Sequence, residues 1–297
     1  MFVVTTPTGN IGRHVVQNLL DRDVAVRVVV RDPSRLPAAT RDRVDVVTGS
    51  HSDPEVLAEA CADADAVFWL VPPQHQVADL ERFYLDFTRP AAEAFVKQGI
   101  ARVVGVSALG RGTPWERNAG HVSAALAMDD LIAAGGVPYR ALANPSFMDN
   151  MLGQLPSIIG QGVISSPIAA DRRLPTCATD DIAAVATRLL LDDDWTGHGE
   201  VPVLGPEDLS GDEQARIISE VLGQPVRYRQ APADEFQATL ATYGMSEAVA
   251  RGMTQMMLAK DAGLDNGVPR TPENSTPTTF RSWCERVLKP AAARRAT

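Results

Sequence analysis

The first twenty residues limit the fold more than any other stretch. Phe2-Val3-Val4-Thr5 is a short β-rich run, and Thr6-Pro7-Thr8-Gly9-Asn10-Ile11-Gly12 is a glycine-containing turn. Behind it Ile11, Val15, Val16, Leu19 and Leu20 repeat at helical spacing. Strand, tight turn and helix in that order open a βαβ unit, and the pattern recurs. Strands are expected at Val24–Val30, Val44–Val47, Ala66–Val71, Arg102–Val106 and Tyr139–Ala143. Helices are expected at Asn10–Asp21, Pro54–Cys61, Val77–Gln98 with a break at Pro90, and Asn118–Ala134. Asp53 caps the second of these, with Pro54 at its first position. Strands alternating with helices predict a parallel sheet. The unbroken apolar runs of the second and fourth strands predict helices on both faces, hence an α/β doubly wound sheet.

Such sheets bind ligands beyond the carboxyl ends of their strands, where strand order reverses. That directs attention to Thr6–Gly12, Arg31, Val71–Gln74, Ser107–Gly110 and Asn144–Phe147. Residues 1–150 are expected to form the nucleotide-binding domain, with additions from about 173–205. Residues 151–290 form a smaller, mostly helical substrate-binding part, and 291–297 a frayed tail. In this second half Asp180-Asp181 cap a helix to Leu191, Val201–Leu204 is a strand, and Ser210 caps Gly211–Leu222. Val226–Arg229 is a further strand, followed by helices at Pro232–Tyr243 and Ser246–Ala262.

Composition removes several classes of function. The 28 basic and 37 acidic residues leave a formal charge of −9, which disfavours nucleic-acid binding. The longest strongly apolar stretch, Ala66–Pro73, is too short for a membrane helix, and no basic segment precedes the first strand. A soluble, cytoplasmic protein is expected. Cys61, Cys177 and Cys284 are odd in number and far apart, and no C-x-x-C or H-E-x-x-H spacing occurs, so neither a disulfide framework nor a metal site is expected.

The Thr6–Gly12 turn suits a pyrophosphate. Backbone N–H groups and the helix dipole meet at the helix start, with Thr6, Thr8, Gly9, Asn10 and Ile11 around the anion. Gly9 lets the backbone approach the phosphates, and Gly12 lets the helix pack on the strand. Arg31 follows the second strand where an adenosine ribose lies. An acid there favours NAD, and an arginine accommodates the 2′-phosphate of NADP. Asp32-Pro33-Ser34-Arg35 reads as a turn capped by Asp32, with Arg35 adding charge. NADP(H) is therefore expected over NAD(H).

The turn resembles the G-x-T-G-x-x-G turn of the NmrA-like branch of the atypical short-chain dehydrogenases, which includes quinone-reductase-like and isoflavone-reductase-like proteins. Val30-Arg31-Asp32-Pro33, Val106-Ser107-Ala108, Asn144-Pro145-Ser146-Phe147-Met148-Asp149-Asn150, Asp180-Asp181-Ile182-Ala183 and Thr276-Pro277-Thr278-Thr279-Phe280 match it in order. The similarity spans nearly the whole chain and implies a Rossmann-type fold. It adds Val71, Pro72, Ser107, Asn144, Pro145, Ser146 and Phe147 to the expected cofactor contacts. One departure stands out: Thr6 occupies the place of the first glycine, and a β-branched residue avoids positive φ.

The resemblance implies an oxidoreductase, yet the usual Tyr-x-x-x-Lys pair is missing. No lysine follows Tyr84, Tyr139, Tyr228 or Tyr243 at the fourth position. Ser107 holds the family's serine position and is a catalytic candidate, able to hydrogen-bond a substrate carbonyl or only the cofactor. His121, near the start of the helix after strand five, is the best replacement acid; a capping histidine fits equally. Trp115, Phe147, Met148 and Met151 are expected to line an apolar pocket for a flat substrate, although core packing explains the methionines as well. The expected activity is hydride transfer from NADPH to a quinone, enone or other conjugated carbonyl, such as an aromatic secondary metabolite. The alternatives are a non-catalytic NAD(P)-sensing regulator with a protein partner and a cofactor-assisted isomerase or epimerase. A monomer or homodimer acting on a small molecule is expected.

Overall fold

The computed structural model describes residues 1–296. Its strands are β1 (Phe2–Val4), β2 (Val26–Val30), β3 (Asp45–Thr48), β4 (Ala66–Trp69), β5 (Arg102–Ala108) and β6 (Tyr139–Asn144), then β7 (Ser146–Phe147), β8 (Val163–Ser166), β9 (Leu174–Cys177), β10 (His198–Pro202), β11 (Asp208–Leu209) and β12 (Arg227–Gln230). The helices are α1 (Gly12–Leu20), α2 (Ala38–Arg41), α3 (Pro54–Ala60), α4 (Leu80–Lys97), α5 (His121–Ala134), α6 (Leu155–Gln161), α7 (Thr179–Leu191), α8 (Gly211–Leu222), α9 (Ala233–Thr242), α10 (Glu247–Asp261), α11 (Phe280–Trp283) and α12 (Lys289–Ala296).

Seven strands form one parallel sheet in the order β10-β6-β5-β4-β1-β2-β3. Alternate side chains serve opposite layers. Val3, Val67 and Trp69 enter the layer of α3, α4 and α5, whereas Val4 and Phe68 enter the layer of α1 and α7. Burial on both faces is why these strands read as continuous apolar runs. Each fully buried large side chain contributes about 1.5–3 kcal/mol. Strand order reverses between β1 and β4, with Val4 opposite both Val28 and Phe68. The Thr5 hydroxyl donates to the Phe68 carbonyl at 3.0 Å and ties the two strands together there.

The second half builds its own core from Met148, Leu155, Ile158, Ile217, Ile218, Phe280 and Trp283. Two small sheets frame it, β11-β9-β7 and β12-β8. Ser210 and Glu213 cap α8 reciprocally. The second half is also fastened to the first. Ser246 N–H donates to the His75 carbonyl at 2.8 Å, its hydroxyl donates to the Val77 carbonyl at 2.5 Å, and the Gln76 amide donates to the Gly244 carbonyl. The loop after β4 is thus held against the turn between α9 and α10.

Several local expectations change. Pro90 lies inside α4 without ending it, because Thr88, Ala91, Ala92, Ala94 and Phe95 are buried along both sides of it. The helix starts at Leu80, where Asp79 accepts from Arg82 N–H. Asp180 and Asp181 are not the caps of α7, which starts at Thr179 without a side-chain cap. Asp181 instead accepts two bonds at 3.0 Å from Thr278, and Asp180 pairs with Arg286 at 3.2 Å. The late strand is His198–Pro202, parallel to β6. The tail expected to fray from 291 is helical through Ala296, with Ala291 and Ala292 against the second core; Thr297 lies outside the described residues.

Candidate functional site

The carboxyl ends of β1, β4, β5 and β6 lie side by side, and most of the expected site residues lie at or just beyond them. In the turn after β1, Gly9 N–H donates to the Thr6 carbonyl at 3.0 Å. A Cβ on Gly12 would fall 1.9 Å from that same oxygen. Gly12 is therefore the residue that lets α1 sit on the turn. At Gly9 a Cβ would stand 3.4 Å from the oxygen, which the fold accepts. Among the described residues only Asp23 and Asp63 have positive φ without being glycine. Thr6 is thus unstrained, and the turn does not require glycine there.

The first turn of α1 carries no side-chain cap and no acidic residue. The Thr6 hydroxyl is buried and has no partner. An uncapped helix start beside an orphaned hydroxyl fits an anionic group, so the loop fits the pyrophosphate of a dinucleotide. Thr8 and Gly9 are half-buried, Asn10 is exposed and Ile11 is buried.

Arg31 and Arg35 are exposed, and neither side chain forms an ion pair or hydrogen bond among the described residues. Asp32 is occupied by its own turn. It accepts from Ser34 N–H at 3.0 Å and from the Ser34 hydroxyl at 2.7 Å, which holds its carboxyl below the usual range. The stretch after β2 therefore presents two exposed guanidinium groups. Beneath it His51 packs edge-on against Trp69 and Phe87, and burial pushes its pKa down to about 4. The neutral ring donates through Nε2 to the Leu70 carbonyl at 3.0 Å.

Val71 is buried and Pro72 half-buried at the end of β4. At the next strand end the Ser107 hydroxyl points inward and donates to Asp129 of α5. Asp129 also accepts from the Tyr139 hydroxyl at 2.6 Å, and Arg111 stands 3.9 Å away. Burial outweighs these contacts and pushes the Asp129 pKa up to about 7. Asn144 donates to the Ser107 and Leu142 carbonyls at 3.0 and 2.7 Å, which binds β5 to β6. Pro145 is buried, and Ser146 and Phe147 are half-buried in β7 against β9.

His121 is the first residue of α5, and its Nε2 is buried without a partner. The structure sets Tyr84 of α4 beside it, ring centroids 6.3 Å apart. Not every expected pocket residue faces an opening. Met148 is 2% exposed within the second core, where Met151 packs at its edge. Trp115 is 39% exposed on the loop before α5. Cys177 is buried, which raises its thiol well above the usual range and leaves it inert.

Sequence reasoning missed Tyr84 and the Asp129–Tyr139 pair. Asp129 did leave a trace, since it shares a helix face with Val122 and Leu126 and so is an acid in a core phase. Tyr84 left none, because its partner lies on a different helix. Among the described residues no group of three or more His, Cys, Asp or Glu side chains could hold a metal. No helix among them is long and apolar enough to cross a membrane.

A doubly wound sheet with an open helix start at its reversal point defines a dinucleotide-binding protein. The chain belongs to the NAD(P)H-binding family, whose model matches residues 7–193. It is 29% identical to a (4-alkanoyl-5-oxo-2,5-dihydrofuran-3-yl)methyl phosphate reductase of Streptomyces griseus, over 95% of this chain and 96% of that one. It is 24% identical to an NAD(P)H azoreductase of Xenophilus azovorans, over 99% of both. Its fold is shared by an NADPH-dependent quinone oxidoreductase of Escherichia coli, with TM-score 0.75, 18% identity and full coverage of both chains. The expected nucleotide-binding family is borne out, and an NmrA structure shares the fold, with TM-score 0.73 and 14% identity.

Proposed function

We propose that this protein is an NADPH-dependent reductase whose acceptor is a quinone, enone or other conjugated carbonyl, such as an aromatic secondary metabolite, in the cytoplasm. The uncapped start of α1 beside the orphaned Thr6 hydroxyl carries the nucleotide half of this reading. The names of the relatives support the reductase half. Thr6, Thr8, Gly9, Asn10 and Ile11 hold the pyrophosphate, Arg31 and Arg35 the 2′-phosphate, and Val71, Pro72, Ser107, Asn144, Pro145, Ser146 and Phe147 the nicotinamide end. When bound, the nicotinamide supplies the hydride, so this chain need only orient the acceptor and handle one proton. Burial holds His121 below its usual range, so it is neutral at pH 7 and able to donate through a ring N–H. Trp115, Phe147 and Met151 border the substrate, with Met148 as the packing behind them.

Calorimetry with NADPH, NADH and their oxidised forms tests the cofactor. Arg31→Ala is expected to weaken NADPH by about tenfold or more, the worth of one charge-assisted phosphate contact, and to leave NADH within about twofold. Equal losses for both nucleotides would remove Arg31 from the 2′-phosphate site. An assay of NADPH oxidation over quinones and enones then tests the acceptor, and rates no higher than without protein would reject it.

A further inference from the structure

The corner between α4 and α5 brings together two proton-bearing groups that the fold leaves unused. His121 is fixed in place by Gly120, whose φ is 54° and on which a Cβ would lie 2.0 Å from the Gly252 carbonyl of α10. No side chain fits between that turn and α10, so the first residue of α5 has little freedom. The ring of Tyr84 meets His121 at an interplanar angle of 67°. Behind Tyr84 the aromatic surface continues through Phe83 and Phe87 to Trp69 at the end of β4, with centroid separations of 5.9, 5.7 and 6.1 Å. His121 Nε2 is buried and unpartnered, and the Tyr84 hydroxyl makes no hydrogen bond among the described residues. A buried polar atom such as His121 Nε2 is rarely left in this state without a ligand or water to satisfy it.

We infer that Tyr84 and His121, from two different helices, are a pair of neutral donors that grip the oxygen of a flat conjugated acceptor. This rests on the reductase reading and specifies the substrate class of the same site. The ionisation of both groups agrees. Burial pushes Tyr84 up to about 12, so its phenol stays a donor. Burial, and secondarily His75 on the fastened loop after β4, keeps His121 uncharged. Two donors that reach one oxygen would stabilise negative charge that develops on it, and neighbouring aromatic rings suit the plane of the ring behind it.

The probe is 4-nitrophenolate, a flat ring with one oxyanion, titrated into the whole chain with and without NADP+ and followed by its visible absorbance. Nitrobenzene, which lacks that oxyanion, is the control. The wild type is expected to bind the phenolate. Tyr84→Phe and His121→Gln are each expected to weaken it by about tenfold or more, the loss of one strong donor. Nitrobenzene binding, NADPH affinity and melting temperature should hold. Tyr84→Phe removes a single oxygen, so the fold tolerates it. Failure of the wild type to bind phenolate overturns the inference. So does equal binding by the variants, or an equal loss of nitrobenzene. A chain that binds phenolate but not NADPH keeps the donor pair and loses the reductase reading.

Discussion

Gly12→Ala is expected to unseat α1 from the turn that precedes it and to abolish NADPH binding. The new Cβ would lie 1.9 Å from the Thr6 carbonyl and 2.6 Å from its carbon, both backbone atoms that no rotamer change can move aside. Overpacking of this kind costs about 3 kcal/mol. In a chain of this size that lowers the melting temperature by about 5–10 °C. The helix start would also turn away from the proposed phosphate site, so nucleotide affinity is expected to fall with stability. Gly9→Ala is the informative partner, since its Cβ would stand 3.4 Å from the same oxygen. It should melt with the wild type. Loss of NADPH affinity in that variant would show that Gly9 serves the phosphate alone. A Gly12→Ala protein that melts within a degree or two of wild type would contradict the steric account.

The second large effect lies in the buried group of Ser107, Asp129 and Tyr139. Asp129→Ala strands two hydroxyls in the interior, at about 1–3 kcal/mol for each. Asp129→Asn keeps an acceptor for Tyr139 and a donor for Ser107, so it should fold well. The two variants separate packing from ionisation. In the folded protein Asp129 titrates near about 7, above its ordinary 3.8. Between about pH 4 and 7 the unfolded chain has lost a proton that the native state retains. Stability from this group is complete below that window and falls by up to about 1.4 kcal/mol per pH unit as pH rises through it. Urea melts of Asp129→Asn across the same range should show a flatter profile than wild type. Parallel profiles would mean that Asp129 is ionised throughout and held by Arg111.

What the chain disclosed by itself follows from distance along it. The strand and helix alternation was legible because both layers of the sheet draw on neighbouring residues such as Val3 and Val4, or Val67 and Phe68. The turn at Thr6–Gly12 was legible because its steric demand is local. Pro90 misled, because burial along α4 outweighs one missing backbone donor. Asp180 and Asp181 misled, because their partners are Arg286 and Thr278, about a hundred residues away. Met148 was read towards the substrate, and it packs in a core that residues near 280 complete. His121 was legible as a candidate acid, but its pairing with Tyr84 was the hardest to foresee, since only the docking of α4 on α5 makes them neighbours.

The seventh strand of the large sheet sets a schedule for biosynthesis. β10 pairs with β6 only after the chain has left the sheet, built most of the second core's strands and returned. α7, which covers the face packed by α1, arrives on the same return. Until residue 202 has left the ribosome, β6 is an open edge with unpaired backbone groups and α1 has a bare flank. At about 5–20 residues per second, that interval after residue 150 lasts several seconds. A nascent chain stalled within it would show an unpaired sheet edge and an uncovered helix flank to its neighbours.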